Sequence, residues 1–336
     1  TLPLSISGII MGSFIARWRI LENGGTWDWQ IFAIALLVTL LYQILSNFAN
    51  DYGDGVKGTD KNRIGEAEQR AVASGKITAN QMKNAVILFV LLSLIATVAL
   101  LYLAFFRENL MNEFYTFVGL GFACILAAIG YTVGKKPYGY LGLGDIFVFV
   151  FFGLVSVCGS YFLFTKTFHW DMLLPATAIG MMSAAVLNLN NMRDIESDAL
   201  SGKKTLPLRM GYRYAMVYEI VLLQLPLILM LVFMMMNGLH EKGNYYAFIF
   251  FILVFPMTAL RRKIMQTKDV REKILNFMRE ESYAPMTSEE LVDALGHDVN
   301  PNKFWDELLA LEQNGEIIKT RFETYGLPEK MGLVAG

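Results

Sequence analysis

The chain has 336 residues, 54% of them hydrophobic and 13% aromatic, with a mean hydropathy of +0.41. That is too apolar for a water-soluble globular fold and indicates a polytopic membrane protein. The net charge of −1 conceals a division: residues 1–267 carry 21 Lys+Arg against 16 Asp+Glu, and residues 268–336 carry 8 against 14. A mildly basic membrane domain is therefore followed by an acidic, soluble one.

The chain starts at Thr1 without a Met or a charged leader, which reads as a trimmed N-terminus with no complete signal peptide. Apolar runs predict eight membrane helices near 4–19, 28–50, 83–106, 112–132, 145–165, 171–191, 212–236 and 244–261. The first is short for a span. Pro175, Pro226 and Pro256 fall inside these helices as potential kinks, which neighbouring helices make tolerable in lipid. Asp145 precedes the Phe-rich fifth run and is positioned as its N-cap. Cys124 and Cys158 sit within apolar runs and read as packing residues, with no disulfide or metal spacing.

Two polar motifs end apolar runs. Asn50-Asp51-Tyr52-Gly53-Asp54-Gly55-Val56-Lys57-Gly58-Thr59-Asp60 follows the second run. Asn190-x-x-x-Asp194, with Asp198 four residues on, follows the sixth. Residues at i, i+4 and i+8 share a helix face, so each motif offers a column of amide and carboxylate oxygens at a helix end. Acids at such a place are costly unless a cation or water meets them. Two facing columns make an oxygen-rich site suited to Mg²⁺ with substrate phosphates, and Asn50, Asp54, Asp60, Asn190, Asp194 and Asp198 are the expected ligands. Asp51 falls off that face. Arg70, Lys135, Arg193 and Lys204 are placed to grip phosphate oxygens.

Lys and Arg concentrate in loops 2–3, 4–5 and 6–7 and after helix 8. The positive-inside rule places those loops, both motifs and the two termini in the cytoplasm, and the expected location is the inner (plasma) membrane. From Lys268 the pattern changes. Helices are expected over 270–280, 288–295 and 301–313, then a hairpin from Glu316–Arg321 and Thr324–Leu327. That is the outline of a small winged helix-turn-helix (α+β) after an all-α multi-pass bundle. The tail has a net charge of −6, and its third helix has one Lys against Asp306, Glu307 and Glu312, so nucleic acid is not an expected partner.

Residues 1–263 resemble the UbiA superfamily of membrane prenyltransferases, and within it the 1,4-dihydroxy-2-naphthoate polyprenyltransferases. The resemblance is carried by the first motif with its wide spacing to Asp60, by the second motif with Gly202-Lys203-Lys204-Thr205-Leu206, and by Tyr131-x-x-x-Lys135. Pro137-Tyr138-Gly139-Tyr140-Leu141-Gly142-Leu143-Gly144-Asp145, Arg70 and Gly75 add to it. It implies a UbiA-like bundle and Mg²⁺-dependent transfer of a polyprenyl group from an allylic diphosphate to 1,4-dihydroxy-2-naphthoate, with loss of CO₂, as in menaquinone synthesis. Asp54, Asp194, Tyr131 and Lys135 would be catalytic, with the isoprenoid tail open to membrane lipid. The superfamily's ninth helix has no counterpart after Arg262. Lys273-Ile274-Leu275-Asn276-Phe277, Tyr283-Ala284-Pro285-Met286 and Gly315-Glu316-Ile317-Ile318-Lys319-Thr320-Arg321 instead make residues 271–336 resemble the N-terminal winged-helix segment of ribonuclease R-type exoribonucleases, with a winged-helix domain at 273–336 after a seam at 264–272, which implies a fusion. The competing readings are another acceptor such as 4-hydroxybenzoate, a membrane cation transporter with paired Asp, and an inactive fusion whose winged helix contacts protein or nucleic acid.

Overall fold

The computed structural model describes residues 2–57, 71–134, 137–239, 270–280, 283–295 and 301–331, which fall into two compact units, one within 2–239 and one within 270–331. The expected eighth span (244–261), the expected seam, and the candidate residues Asp60, Arg70 and Lys135 lie outside the described residues.

Seven helices in the first unit are long and apolar enough to cross a membrane. They are α1 (Leu2–Glu22), α2 (Trp29–Lys57), α3 (Ala79–Ala104), α4 (Met111–Gly130), α5 (Gly144–Thr165), α6 (Leu173–Arg193) and, after two short helices, α9 (Tyr212–Met236). The short pair is α7 (Ile195–Leu200) and α8 (Leu206–Met210). The fold is thus mostly helical and multi-pass. Helix α1 has the length of a full span, longer than its apolar run suggests. Helix α3 starts where a Thr78/Gln81 capping box satisfies its first amides. The N-cap of α5 is Leu143, with no side-chain cap bond; Asp145 is instead buried in the first turn. Between Phe149 and Cys158 α5 widens into π-helix.

Helix α6 is the most buried of the seven spans. It packs against α5 and α9, while α2 packs mainly against α3. Leu45 and Ala49 of α2 meet Val86 of α3 and Ile125 of α4 in one apolar cluster. At the bundle end opposite the motifs, Arg19 of α1 donates to Tyr161 (2.9 Å), to Asn237 (2.9 Å) and to Asp171. That clasp joins α1, α5, the start of α6 and the end of α9.

The second unit holds helix α10 (270–279), β1 (Met286–Thr287), α11 (Ser288–Leu295), α12 (Pro301–Gln313), β2 (Ile318–Lys319) and β3 (Thr324–Gly326). The sheet is antiparallel in the order β1-β3-β2, with Met286 opposite Tyr325 and Ile318 opposite Gly326. Ile274, Met278, Leu291, Phe304, Leu308 and Leu311 form its core.

Candidate functional site

Helix α2 does not stop at residue 50. It runs to Lys57, so Asn50 and Asp54 lie on one continuous helical face. That extension depends on a close approach. A Cβ on Gly53 would sit 2.7 Å from the Thr132 hydroxyl oxygen and 2.9 Å from its carbonyl carbon, so only glycine lets α2 lie against the segment after α4. Thr132 secures the contact, donating to Ala49 O (3.0 Å) and to Asn50 Oδ1 (3.1 Å). Lys57 donates to Thr132 O at 2.7 Å.

The second motif is built differently from expectation. Helix α6 ends at Arg193, with Asp194 its C-cap at φ −96° and ψ 15°, and α7 begins afresh at Ile195. Asn190, Asp194 and Asp198 therefore do not form one straight column. Backbone bonds hold the bend, from Asp194 N–H to Asn190 O (3.0 Å) and from Asp198 N–H to Asp194 O (2.8 Å).

The fold brings the two motifs together. Asp54 is 1% exposed and Asp198 6% exposed. The Lys203 ammonium lies 3.7 Å from Asp54 Oδ2 and 3.9 Å from Asp198 Oδ1, bridging them. Tyr140 donates to Asp54 Oδ1 at 2.6 Å, and Lys57 and Lys203 lie 4.5 and 5.1 Å from its ring centroid. Tyr140 reaches that place because Gly142 turns the chain at φ +74°, and a Cβ there would meet the Lys204 carbonyl at 2.3 Å. Lys204 N–H in turn donates to Tyr140 O at 3.0 Å. Arg193 grips Asp194 in bidentate fashion, at 2.7 and 2.9 Å.

These groups close one end of a cavity of about 480 Å³. Asn50, Asp54, Asn190, Asp194, Asp198, Tyr131, Arg193 and Lys203 all line it. Lys204 is exposed and does not line it. Lys203 and Tyr140 are what sequence reasoning missed as site residues: each counts there only as part of a motif, Lys203 also as a loop charge. From its polar end the cavity continues between the helices past Phe147, Phe151, Cys124 and Leu187 to Leu163 near the far end of α5. Tyr138 stacks on Phe147 at 3.8 Å and meets Tyr131 edge-on at 5.3 Å. Burial, with Tyr131 nearby, pushes the Tyr138 phenol up, so it stays neutral and serves as wall.

Among the described residues no three Asp, Glu, His or Cys side chains converge to hold a metal ion by themselves. The donor set still fits a hard divalent cation. Asp54 and Asp198 already share one positive group, and Asn50, Asn190 and Asp194 line the same cavity. A divalent cation could take one or two of these carboxylates and complete its shell with substrate phosphate oxygens.

A model of the UbiA prenyltransferase family matches residues 10–279. The chain is 43% identical over 260 residues to the 1,4-dihydroxy-2-naphthoate octaprenyltransferase of Haemophilus influenzae, covering 77% of this chain and 80% of that one. It is 42% identical over 271 residues to the Escherichia coli protein of the same name, covering 80% and 83%. A 2-carboxy-1,4-naphthoquinone phytyltransferase of Synechocystis is 28% identical over 190 residues, covering 56% and 57%.

Proposed function

The chain belongs to the UbiA prenyltransferase family, and from that premise we propose that its cavity is where a polyprenyl group passes from an allylic diphosphate to an aromatic acceptor. It is a prenyltransferase of menaquinone biosynthesis, with 1,4-dihydroxy-2-naphthoate as acceptor, as its relatives' names support. One observation carries the placement of the site: Lys203 bridges Asp54 of the first motif and Asp198 of the second across one cavity end.

The diphosphate lies at that end and the isoprenoid tail along the apolar length towards lipid. Mg²⁺ would be held by Asn50, Asp54, Asn190, Asp194 and Asp198, with Asp60 a further candidate from the sequence, and would supply charge neutralisation to the diphosphate. Lys203 and Arg193 add fixed positive charge where negative charge grows, which is electrostatic stabilisation of the leaving group. Arg70, Lys135 and Lys204 are second candidates for phosphate oxygens. Tyr140 fixes the Asp54 carboxylate through Oδ1, and Oδ2 is the oxygen that Lys203 approaches. The allylic C–O bond breaks with its electron pair leaving on diphosphate. An electron-rich ring carbon of the acceptor forms the new C–C bond, and CO₂ departs. Tyr131, Tyr138 and Phe147 line the cavity there and offer cation–π contact to the allylic cation.

The excess of Lys and Arg in loops 2–3, 4–5 and 6–7 supports an inner-membrane protein with this site on the cytoplasmic side. The order helix, strand, helix, helix, strand, strand supports reading residues 270–331 as a winged helix-turn-helix of the ribonuclease R kind. Its acidity favours a protein contact over nucleic acid.

The test incubates membranes holding the full chain with dihydroxynaphthoate, an allylic diphosphate and Mg²⁺. Asp54→Asn and Asp198→Asn are each expected to abolish transfer to within background. Transfer that survives both at wild-type rate overturns the site. Label passing to 4-hydroxybenzoate instead changes the acceptor, and cation flux without transfer favours a transporter.

A further inference from the structure

The polar face of α2 does not end at the motif. Reading back from Asp54 and Asn50, the same face carries Asn47 and Gln43, at i, i−4, i−7 and i−11. All four line the cavity. At 1.5 Å per residue Asn47 lies roughly 10 Å, and Gln43 roughly 16 Å, deeper into the membrane than Asp54. The other helices present Cys124, Phe151 and Leu187 at a comparable depth, each seven residues from Tyr131, Gly144 and Asp194 respectively. Those side chains have no strong hydrogen bond to give.

The amide pair has a defined polarity. Gln43 is 6% exposed and donates from Nε2 to Asn47 Oδ1 at 3.3 Å. Asn47 is exposed within the structure and lines the cavity. Asn47 Oδ1 accepts from Gln43, and its NH₂ group is the donor that the side chain brings to the cavity wall. A hydrocarbon tail gains nothing from such a donor, and an amide unmatched in an apolar cavity is costly. A flat aromatic ring bearing hydroxyls suits the place: the rings of Tyr138, Phe147 and Phe151, stacked on one another along the wall, give apolar contact, and the amide gives a donor for one oxygen.

We infer that Asn47 binds a ring hydroxyl oxygen of the aromatic acceptor and that Gln43 is a positioning residue that sets the direction of the Asn47 amide, so that this pair decides acceptor choice. The inference rests on the prenyl-transfer reading above and adds where its acceptor sits. The acceptor ring then lies beside the diphosphate end, one to two helical turns deeper, where an allylic carbon can meet it.

The experiment uses the purified full chain in detergent with Mg²⁺ and farnesyl diphosphate. Acceptors are 1,4-dihydroxy-2-naphthoate and the two analogues lacking either hydroxyl, and the variants are Asn47→Leu, Asn47→Ala and Gln43→Leu. A lost hydrogen bond to a neutral donor predicts about a tenfold rise in acceptor KM, with the KM for farnesyl diphosphate within twofold of wild type. Discrimination in kcat/KM against one of the two analogues is expected to shrink about tenfold in all three variants. That ratio does not depend on how much protein is folded, so a variant of reduced stability still reports. Retained discrimination against both analogues, or a change confined to the KM for farnesyl diphosphate, overturns the inference. A wild type that prenylates 4-hydroxybenzoate and none of the three naphthoates, with Asn47→Leu raising the KM for 4-hydroxybenzoate about tenfold, overturns the acceptor assignment and leaves the inference standing.

Discussion

Lys203 stands between two buried carboxylates, and replacing it by Met removes the charge while keeping much of the stem. At 3.7 and 3.9 Å the ammonium attracts each carboxylate by roughly 4 kcal/mol at an effective dielectric constant of about 20. Desolvation offsets most of that, and a charge-assisted contact is worth about 1.5–3 kcal/mol net. Two effects follow. In the absence of metal, Asp54 and Asp198 lose their shared cation, so the variant melts lower in EDTA. Mg²⁺ then restores more to the variant than to wild type, since a cation that binds only the folded state stabilises by mass action. In turnover the diphosphate loses one fixed positive charge, and kcat/KM for the prenyl diphosphate falls about 10- to 150-fold, the rate equivalent of the same energy. The assay pairs melting of detergent-solubilised protein, with EDTA or with Mg²⁺, with prenyl transfer at varied prenyl diphosphate. A kcat/KM within threefold of wild type, together with an unchanged Mg²⁺-dependent melting shift, refutes the reasoning.

Tyr140→Phe removes the donor 2.6 Å from Asp54 Oδ1 while keeping the ring beneath Lys57 and Lys203. Transfer is expected to fall about 10- to 100-fold and to need more Mg²⁺, and an unchanged Mg²⁺ titration counts against a positioning role. Gly53→Ala forces a Cβ onto Thr132, and overpacking of this kind costs about 1–3 kcal/mol. Its melting temperature and activity should drop together. Arg19→Met breaks the clasp to Asp171, Asn237 and Tyr161 at the other end of the bundle. The expected result is a lower melting temperature, from roughly 3 kcal/mol of lost stability, with both substrate KM values unchanged. In the second unit, burial outweighs the attraction of Arg271 and raises the Glu307 pKa above its ordinary 4.5. The protonated form is therefore the one that folding favours. Its contribution is complete below pH 4.5 and is lost as pH rises through the raised value. Glu307→Gln should slow amide exchange in 301–313 at pH 7 and leave it unchanged near pH 4, and equal exchange at pH 7 would contradict this.

Local periodicity carries a long way in this chain. Seven of the spans, the two polar motifs at their ends, and the three helices and hairpin of the acidic tail were legible because each depends on residues close together in the chain, whereas strand β1, which pairs with β3 from far along the chain, was not foreseen. The i, i+4 spacing alone put Asn50 and Asp54 on one face. What it left open is whatever depends on chain brought from elsewhere. The choice between Lys203 and Lys204 is of that kind: adjacent lysines are equivalent to composition, yet the turn at Gly142 engages the Lys204 backbone and Lys203 alone lines the cavity. The bend at Asp194 escaped periodicity because a helix end is set by capping and packing. The Asn47/Gln43 pair escaped notice because an amide within an apolar run looks like tolerated polarity until the cavity it borders is known. Spacing along a helix is a property of the covalent chain and is written in its order. Which face meets which, and hence which charges share one low-dielectric space, is decided by packing between segments more than a hundred residues apart.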